Sequence, residues 1–285
     1  MITLHNSQLS LSISEVGAEV HSLKNVVTNT EYIYSGEAWK RHTPLLFPVT
    51  GPLNNGTIQA KGKSFSMPVN GFARDLEFGL LEATEGKATF VLNSDERTRG
   101  FYPFEFSLVV THTLHESGYT SSAEIHAKEE LWCTFGWHPA FNLFMNGEDA
   151  ELESYRVEFE QEETADRLYP VNGIFSVQSR FLDKTKTLPL SRALTDTGPT
   201  VLNTLGSRSV TLRSTAGAHG ITVERGDLPT LVIWTKEQEK APFICIEPMY
   251  SFQDASRTSE ISEMEGMMHL YAGQKRTYSN TFTCF

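Results

Sequence analysis

Two residues of this 285-residue chain have the chemistry and the setting of a general acid–base pair. His138 lies in FGWHPAFN (135–142), and Glu247 lies in APFICIEPMY (241–250). Because side chains alternate between the two faces of a strand, Glu247 shares a face with Cys245 and ends an otherwise apolar run. A carboxylate in that position must be paired, hydrogen-bonded or functional. Partial burial would raise its pKa and make it a better base near neutral pH.

The sequence around His138 contains unusually small residues. Gly136 and Ala140 share its strand face, whereas Trp137 points to the opposite face. Because core positions are normally filled by bulky side chains, these neighbours favour space for a ligand ring above the imidazole. Two alternatives stay open from the residues alone. One is that His138 is a core histidine with its ring nitrogens hydrogen-bonded inside the protein. The other is that Glu247 is buried in an ion pair with an arginine.

Two further segments supply cations. WKRHTPLLFPVTGPLNNG (39–56) and NGFARD (70–75) contain Arg41 and Arg74. Their planar guanidinium groups suit sugar hydroxyls or a carboxylate, although exposed ion pairs are the alternative for both. The prolines on either side of 45–47 favour a short segment at the rim of a sheet.

Strands are the elements that must position these residues. Apolar and polar residues alternate along three clear runs, 9–13, 106–114 and 155–159. Such alternation is typical of strands with one buried face. Helical periodicity is confined to 160–169 and 256–264, where we expect a turn or two of helix. We therefore predict an all-β, antiparallel fold, built as one domain over residues 1–285 with only short helices.

Charge and composition exclude several classes of partner. The chain has 24 Lys and Arg against 35 Asp and Glu, a net charge of −11, which is the wrong sign for a nucleic-acid binder. The N-terminus lacks the pattern of a signal peptide, and no apolar run approaches the roughly 18 residues of a membrane span. Three widely spaced cysteines without a CxxC motif indicate a reducing compartment. We expect a cytoplasmic monomer or homodimer with no membrane partner and no metal.

Four motifs in order resemble those of the aldose 1-epimerase (galactose mutarotase-like) family. PLLFP, GFARD, GWHPAFN and APFICIEP follow one another with similar spacing, and the chain is most like the bacterial LacX-like branch. The similarity extends from VGAEVHSL (16–23) to the segment that contains Glu247. It implies a large, twisted antiparallel β-supersandwich with a carbohydrate cleft, a small-molecule sugar as substrate, and no cofactor.

The resemblance also implies roles for individual residues. His138 resembles the family's acid, which protonates the ring oxygen O5, and Glu247 resembles the base, which takes the proton of the C1 hydroxyl. The ring opens to the aldehyde, the C1–C2 bond rotates, and reclosure gives the other anomer. Arg41 resembles the arginine that binds sugar hydroxyls near the rim, and we expect Arg74 to lie in the same cleft.

The sequence departs from the family pattern at three places, each in a segment expected to contact the sugar. Asn70 stands where related sequences usually carry a histidine before GFAR, and 249–251 reads MYS instead of the usual W.G. In the family, an aspartate that often contacts sugar hydroxyls would lie within 192–202. Asp196 is the only acidic residue in this segment, although Gly198 is also near the expected position. These departures concern the substrate more than the fold.

Several functions therefore remain open. An aldose 1-epimerase acting on a free aldohexose is the leading hypothesis. A hexose-6-phosphate 1-epimerase would need a cluster of cations at the cleft, and Lys40, Arg41, Lys63 and Arg74 could contribute to it. A third hypothesis is a carbohydrate-binding or sensing protein without turnover. A glycoside hydrolase or lyase is disfavoured, because hydrolases of this kind use two carboxylates.

Overall fold

The computed structural model describes residues 1–147, 151–171, 174–215, 217–252 and 259–285. In these ranges the chain forms twenty-three strands, two helices of four residues and five 3₁₀ turns. The strands of the N-terminal half are β1 (Ile2–His5), β2 (Leu9–Ile13), β3 (Val20–Asn25), β4 (Thr30–Glu31), β5 (Leu45–Leu46), β6 (Thr57–Ala60), β7 (Lys63–Ser66), β8 (Gly79–Ala83), β9 (Lys87–Asn93), β10 (Phe106–Leu114), β11 (Gly118–Ala127), β12 (Leu131–Cys133), β13 (Gly136–Trp137) and β14 (Ala140–Asn142). Those of the C-terminal half are β15 (Tyr155–Val171), β16 (Ile174–Pro189), β17 (Thr200–Leu202), β18 (Ser209–Ser214), β19 (Gly220–Glu224), β20 (Thr230–Trp234), β21 (Phe243–Met249), β22 (Met268–Leu270) and β23 (Lys275–Cys284). The helices are α1 (Glu96–Arg99) and α2 (Arg192–Thr195), and the 3₁₀ turns are Asn54–Gly56, Ala73–Asp75, Leu143–Asn146, Leu152–Ser154 and Ile261–Glu263.

One large sheet dominates the fold. It contains fifteen strands, thirteen of them in the order β5-β13-β21-β20-β17-β15-β18-β19-β23-β11-β10-β9-β8, with β14 also paired to β21 and β16 to β15. Strands β1 to β4 form a second sheet, and β12–β22 and β6–β7 form two small ribbons. The pairs that involve the site, such as β13–β21 and β20–β21, are antiparallel, as are the long pairs β10–β11 and β15–β16. The predicted all-β, antiparallel architecture with only short helices is confirmed.

The alternation in the sequence corresponds to strand faces, as predicted. Alternate residues of β2 and of β10 are buried, and the apolar ones among them belong to the main hydrophobic core. The expected helical turn at 160–169 is wrong, because this stretch is part of β15. There it pairs with β16 and with β17, and ladder hydrogen bonds to two neighbours outweigh a weak local helical pattern. In the other expected turn, residues 256–258 lie outside the described residues, and Ile261–Glu263 forms a single 3₁₀ turn.

A buried histidine links the long strands to the loop before β3. His112, on β10, donates from Nε2 to the carbonyl oxygen of Ala18 at 2.8 Å and lies 2.8 Å from the hydroxyl of Ser121 through Nδ1. Burial lowers the pKa of His112 to about 4, so the imidazole is neutral at physiological pH. Ala18 has a positive φ of 47°. The bond therefore stabilises an unusual backbone conformation that presents Glu19 to the segment before β5.

All three cysteines of the chain lie inside the fold. Cys133, Cys245 and Cys284 are free and buried. Among the described residues, no helix has the length and apolar composition that a membrane span requires.

Candidate active site

The sequence motifs become neighbours in one part of the large sheet. Strand β13, from the GWHPAFN motif, pairs with β5 of the PLLFP motif on one side and with β21 of the IEP motif on the other. His138 lies between β13 and β14, and its backbone N–H donates to the carbonyl oxygen of Pro44. Since β14 also pairs with β21, His138 is held beside the strand that carries Glu247.

Strand alternation places Glu247 as the sequence predicts. Ile244 and Ile246 belong to the main core, whereas Cys245 belongs to a small cluster that contacts Trp39 and Trp234. Glu247 follows on that second face and lines a cleft. The same segregation holds in the histidine motif, where Trp137 joins the main core and Ala140 joins the small cluster.

The cleft has a volume of about 270 Å³, which suits one small ligand. Twelve described residues line it: Trp39, Gly51, Pro52, Val69, Asn70, Arg74, His138, Pro199, Val232, Trp234, Glu247 and Phe252. Four of the predicted site residues, His138, Glu247, Asn70 and Arg74, are therefore brought together. Residues 109 positions apart in the sequence meet here because β20, β21, β13 and β5 are consecutive in the sheet.

His138 and Glu247 form a close pair at the floor of the cleft. Nε2 of His138 lies 3.4 Å from Oε2 of Glu247, and the two residues are only 8% and 3% exposed. The other heteroatom of each group, Nδ1 of His138 and Oε1 of Glu247, is buried without a hydrogen-bond partner in the described part of the chain. Buried polar atoms are normally satisfied, so these two are free to bind a polar ligand.

The surroundings of the pair favour the neutral form of both groups. Burial raises the pKa of Glu247 well above its usual value. Burial, helped by the positive charges of Arg74 and Arg41, lowers the pKa of His138 to about 3. Both shifts have the same main cause, the cost of placing a charge where water is excluded. Burial therefore favours the state of the pair in which His138 is neutral and Glu247 keeps its proton.

The small residues beside His138 also serve packing, and one face of its imidazole is covered although His138 lines the cleft. A Cβ on Gly136 would lie 2.5 Å from the Cβ of Met249, so this glycine allows β13 and β21 to approach each other. One face of the imidazole is covered by Trp39, with ring centroids 4.9 Å apart at an interplanar angle of 30°. Trp234 approaches edge-on at 5.5 Å and 84°.

Three aromatic residues of the cleft were missed by the sequence analysis. Trp39 belongs to a short turn closed by a Gly36–Trp39 bridge, Trp234 ends β20, and Phe252 follows the IEP strand. Their only signal in the sequence is their type, since tryptophan occurs four times in the chain. Which of these four faces the cleft depends on the order of strands, which local patterns do not give.

With this geometry established, comparisons with known proteins identify the family. The profile of the family described as Aldose 1-epimerase matches residues 1–279. The chain belongs to the aldose 1-epimerase family. It is 30% identical over 277 residues to the chromosomal protein LacX of Lactococcus lactis subsp. lactis, an alignment that covers 92% of this chain and 91% of LacX.

Solved structures agree with this assignment. A galactose mutarotase-like protein from Lactobacillus casei ATCC 334 superimposes with a TM-score of 0.89 at 30% identity, with both chains covered completely. A galactose mutarotase related enzyme from Lactobacillus acidophilus gives a TM-score of 0.92 at 27% identity, over 99% of this chain and 96% of that one. The large antiparallel β-supersandwich that the resemblance implied is thus the fold of this epimerase-family chain.

The two arginines of this family member have different environments. Arg74 lines the cleft and donates to the carbonyl oxygen of Val69 at 2.5 Å. Its buried Nε has no hydrogen-bond partner among the described residues and lies 3.9 Å from Oδ2 of Asp75. Burial and the charge of Arg41 lower the pKa of Arg74 to about 10, so it stays positive at neutral pH. Arg41 does not line the cleft and is paired with Asp75 at 2.8 Å. It acts on the cleft through its charge.

Asn70, which replaces the usual family histidine, has a defined structural role. Its φ is +65°, a conformation that asparagine tolerates better than most residues, and its Oδ1 accepts the N–H of Gly51 at 2.6 Å. Asn70 also lines the cleft, and no hydrogen bond is made by its amide nitrogen among the described residues. It can donate a hydrogen bond to a ligand, but it cannot carry a proton.

The structure does not bring Asp196 to the cleft. Asp196 is the C-cap of α2, and its Oδ1 accepts the N–H of Gln238 at 2.9 Å. Pro199, three residues later, lines the cleft instead, in a loop whose carbonyls accept hydrogen bonds from the buried guanidinium of Arg167. The position of Asp196 in the sequence therefore did not predict where its side chain lies, because Asp196 stands at the C-terminal end of helix α2.

The segment 249–251, which lacks the tryptophan usual after the IEP motif, is followed by an aromatic residue that lines the cleft. Met249 belongs to an apolar cluster that also contains Leu46 and Val232. The hydroxyl of Ser251 donates a hydrogen bond to the carbonyl oxygen of Gly266. Neither supplies a flat ring to the cleft. Phe252 does, together with the two tryptophans described above.

Proposed function

We propose that this protein is an aldose 1-epimerase that interconverts the α and β anomers of an unphosphorylated aldohexose. The observation that supports this most strongly is the 3.4 Å approach of His138 Nε2 to Glu247 Oε2 at the floor of a sugar-sized cleft. Anomerisation needs one group that gives a proton and one that takes a proton, acting on two oxygens attached to the same carbon. A close acid–base pair with one shared proton meets that need.

In the proposed reaction, Glu247 removes the proton of the C1 hydroxyl while His138 protonates O5. The electron pair of the O–H bond forms the C1=O double bond, and the C1–O5 bond breaks with its electrons taken by O5. Rotation about C1–C2 presents the other face of the aldehyde, and the reverse proton transfers close the ring. Each catalytic group of this kind contributes on the order of 10²–10⁴-fold.

The proton that this mechanism needs is already in the site. In the free protein it resides on Glu247, and the roles above require it on His138. Transfer across the short gap between Nε2 and Oε2 changes the location of the proton but not the charge of the pair. We propose that sugar hydroxyls, which bind the unpaired Oε1 of Glu247 and Nδ1 of His138, stabilise the transferred state.

The aromatic residues of the cleft suit the apolar C–H face of a pyranose ring. The Trp39 and Trp234 rings lie next to the His138 imidazole and 5.8 Å from each other, and Phe252 contributes a third ring. Large aromatic rings provide apolar area with few rotamers to immobilise. Arg74 and the Asn70 amide supply hydrogen-bond donors for the hydroxyls.

Polarimetry on freshly dissolved α-glucose and α-galactose tests the proposal. We expect the optical rotation to relax faster in proportion to protein concentration, with first-order kinetics at low sugar. Exchange between the anomeric proton signals in NMR gives an independent measure at equilibrium. Calorimetric binding of the same sugars with no acceleration at any pH would instead assign the protein to the non-catalytic binders.

The charges of the cleft favour a free sugar over a sugar phosphate. Arg74 is the one permanently cationic residue among the described residues that line it, and its guanidinium already donates to Val69. Arg41 is held by Asp75, and Lys40 is paired with Glu37. Phosphate binding usually employs at least two converging cations.

We therefore expect a 6-phosphate group to add no affinity. Dissociation constants for glucose and glucose 6-phosphate, measured by competition at low and high salt, should agree within a few-fold. The variant Asp75→Asn, which removes the carboxylate beside both Arg41 and Arg74, is the matched comparison and should improve binding of the phosphate ester alone. If the unmodified protein binds the ester at least about 10-fold more tightly, with loss of that preference at high salt, the substrate is a phosphorylated hexose.

A further inference from the structure

We propose that Glu19, His21 and His42 form a binding site for a divalent transition-metal ion of the Zn²⁺, Co²⁺ and Ni²⁺ class. One ligand atom from each residue lies within 4.8 Å of the other two. None of the three lines the sugar cleft, so the site is separate from the proposed acid–base pair. The residues come from the loop before β3, from β3 itself and from the segment before β5.

Glu19 is a fixed carboxylate with one oxygen available. Its Oε1 accepts the backbone N–H groups of His42 at 2.7 Å and of Thr43 at 2.9 Å, and the side chain is 7% exposed. Its Oε2 points to Nε2 of His21 at 3.7 Å and has no hydrogen-bond partner in the described part of the chain. A carboxylate whose orientation is set by backbone donors needs no further ordering to bind an ion.

Both imidazoles present a nitrogen to this carboxylate. The rings of His21 and His42 are stacked, with centroids 4.0 Å apart and planes at 18°. Nδ1 of His42 lies 3.8 Å from Oε1 of Glu19 and is buried without a described partner. Nε2 of His42 is 3.3 Å from the hydroxyl of Ser35. If this Nε2 carries the proton and donates to Ser35, the lone pair of Nδ1 is left free, which is the usual arrangement of a ligating histidine.

A metal ion explains this arrangement better than an ion pair does. Two stacked imidazolium rings would repel each other, whereas two neutral rings leave the buried Nδ1 unsatisfied. A divalent cation uses both lone pairs and the charge of Glu19. The 3.7 Å between Oε2 of Glu19 and Nε2 of His21 exceeds by a few tenths the separation of about 3.4 Å expected for two ligands of tetrahedral zinc. A ring nitrogen of His42 lies within 4.8 Å of the ligand atoms of Glu19 and His21.

Binding requires one movement, and the structure leaves room for it. The lone pairs of stacked rings run side by side, so the rings must spread apart before both can point at one ion. The side chain of His21 is 29% exposed and makes no hydrogen bond among the described residues. His21 can therefore rotate, and solvent water can occupy the remaining coordination position. An N, N, O donor set suits zinc, cobalt and nickel.

The test is a titration of the tag-free, metal-stripped protein with Zn²⁺ by calorimetry and with Co²⁺ by visible absorption. We expect one ion per chain, a rise in Tm with metal concentration, and d–d absorption typical of bound cobalt. His21→Ala should weaken binding at least about 10-fold while leaving the core intact, because the residue is part-exposed. Glu19→Gln, which keeps an oxygen for the two N–H donors, should weaken it similarly.

A second candidate cluster makes the test decisive. His138, Cys245 and Glu247 also place three donor atoms within 4.8 Å, but that set includes a thiol. Binding there would give a near-ultraviolet thiolate-to-cobalt band that Cys245→Ser removes. His269→Ala, which alters an exposed histidine paired with Glu130, is the control and should bind like the parent. Absence of binding, retention of full affinity in His21→Ala, or loss of binding in Cys245→Ser would each overturn the proposed site.

Discussion

Glu247→Gln should reduce kcat for anomerisation about 10³-fold while sugar binding largely survives. Glutamine has the shape of the protonated glutamic acid that burial favours in the free protein, so the substitution should disturb the cleft little. It removes only the ability to accept the proton of the C1 hydroxyl. Polarimetry gives kcat, and calorimetry gives the dissociation constant of the sugar.

His138→Asn should produce a similar loss from the acid side. Because the two residues act on one bond-breaking event, the double variant should be little slower than the slower single variant. Glu163→Gln is the matched control, since Glu163 is also 3% exposed but accepts the N–H groups of Gly206 and Ser207 away from the cleft. It should lower stability and leave kcat unchanged. Losses of affinity alone in the two cleft variants would contradict the catalytic assignment.

The same mechanism predicts the pH dependence of kcat/KM for the parent protein, which reports the pKa values of the essential acid and base in the free enzyme. The active pair holds one proton. A second proton binds His138 only near its pKa of about 3, and the last proton leaves Glu247 well above the usual carboxyl range. Activity should therefore stay level from about pH 4 across the whole range around pH 6.5 in which an ordinary imidazole titrates. An isolated imidazole acid with an ordinary pKa would instead lose activity steadily above about 6.5. The macroscopic values belong to the pair as a whole.

Gly71→Ala should destabilise the protein by at least about 3 kcal/mol. Gly71 has a φ of +73°, and a Cβ there would lie 2.1 Å from the carbonyl oxygen of Phe47 and 2.8 Å from the nitrogen of Pro48. That carbonyl cannot retreat freely, because it accepts the N–H groups of Phe72 and Ala73. The substitution would separate the PLLFP motif from the GFARD motif, which carries Arg74 of the cleft.

Gly62→Ala isolates the part of this effect that comes from the backbone conformation. Gly62 has the same φ of +73°, but a Cβ there meets no atom within 4 Å. Its substitution should cost about 1 kcal/mol. Denaturant unfolding of both variants gives the comparison. Equal losses would mean that the close contact at Gly71 contributes nothing and that the two motifs are held together in another way.

The sequence by itself determined the all-β class, the buried faces of the strands it predicted, and the two residues that we propose as the acid–base pair. Alternation with period two is a local property, so it predicted which side of β21 carries Glu247 and which side joins the core. The four ordered motifs identified the family, and the residues they share include His138, Glu247 and Arg74. Each of these inferences needs only the neighbours of a residue along the chain.

The tertiary structure decided which residues surround that pair. Trp39 and Trp234 come from a turn and a strand end that carry no motif, and they meet only because β21 lies between β20 and β13. The grouping of Glu19, His21 and His42 likewise depends on the pairing of distant segments, and their spacing matches no metal-ligand motif. Arg41 forms an ion pair with Asp75 and does not line the cleft. Asp196 caps the C-terminal end of α2 and does not line the cleft either. Strand order and side-chain competition for partners are non-local, so periodicity in the sequence does not contain them.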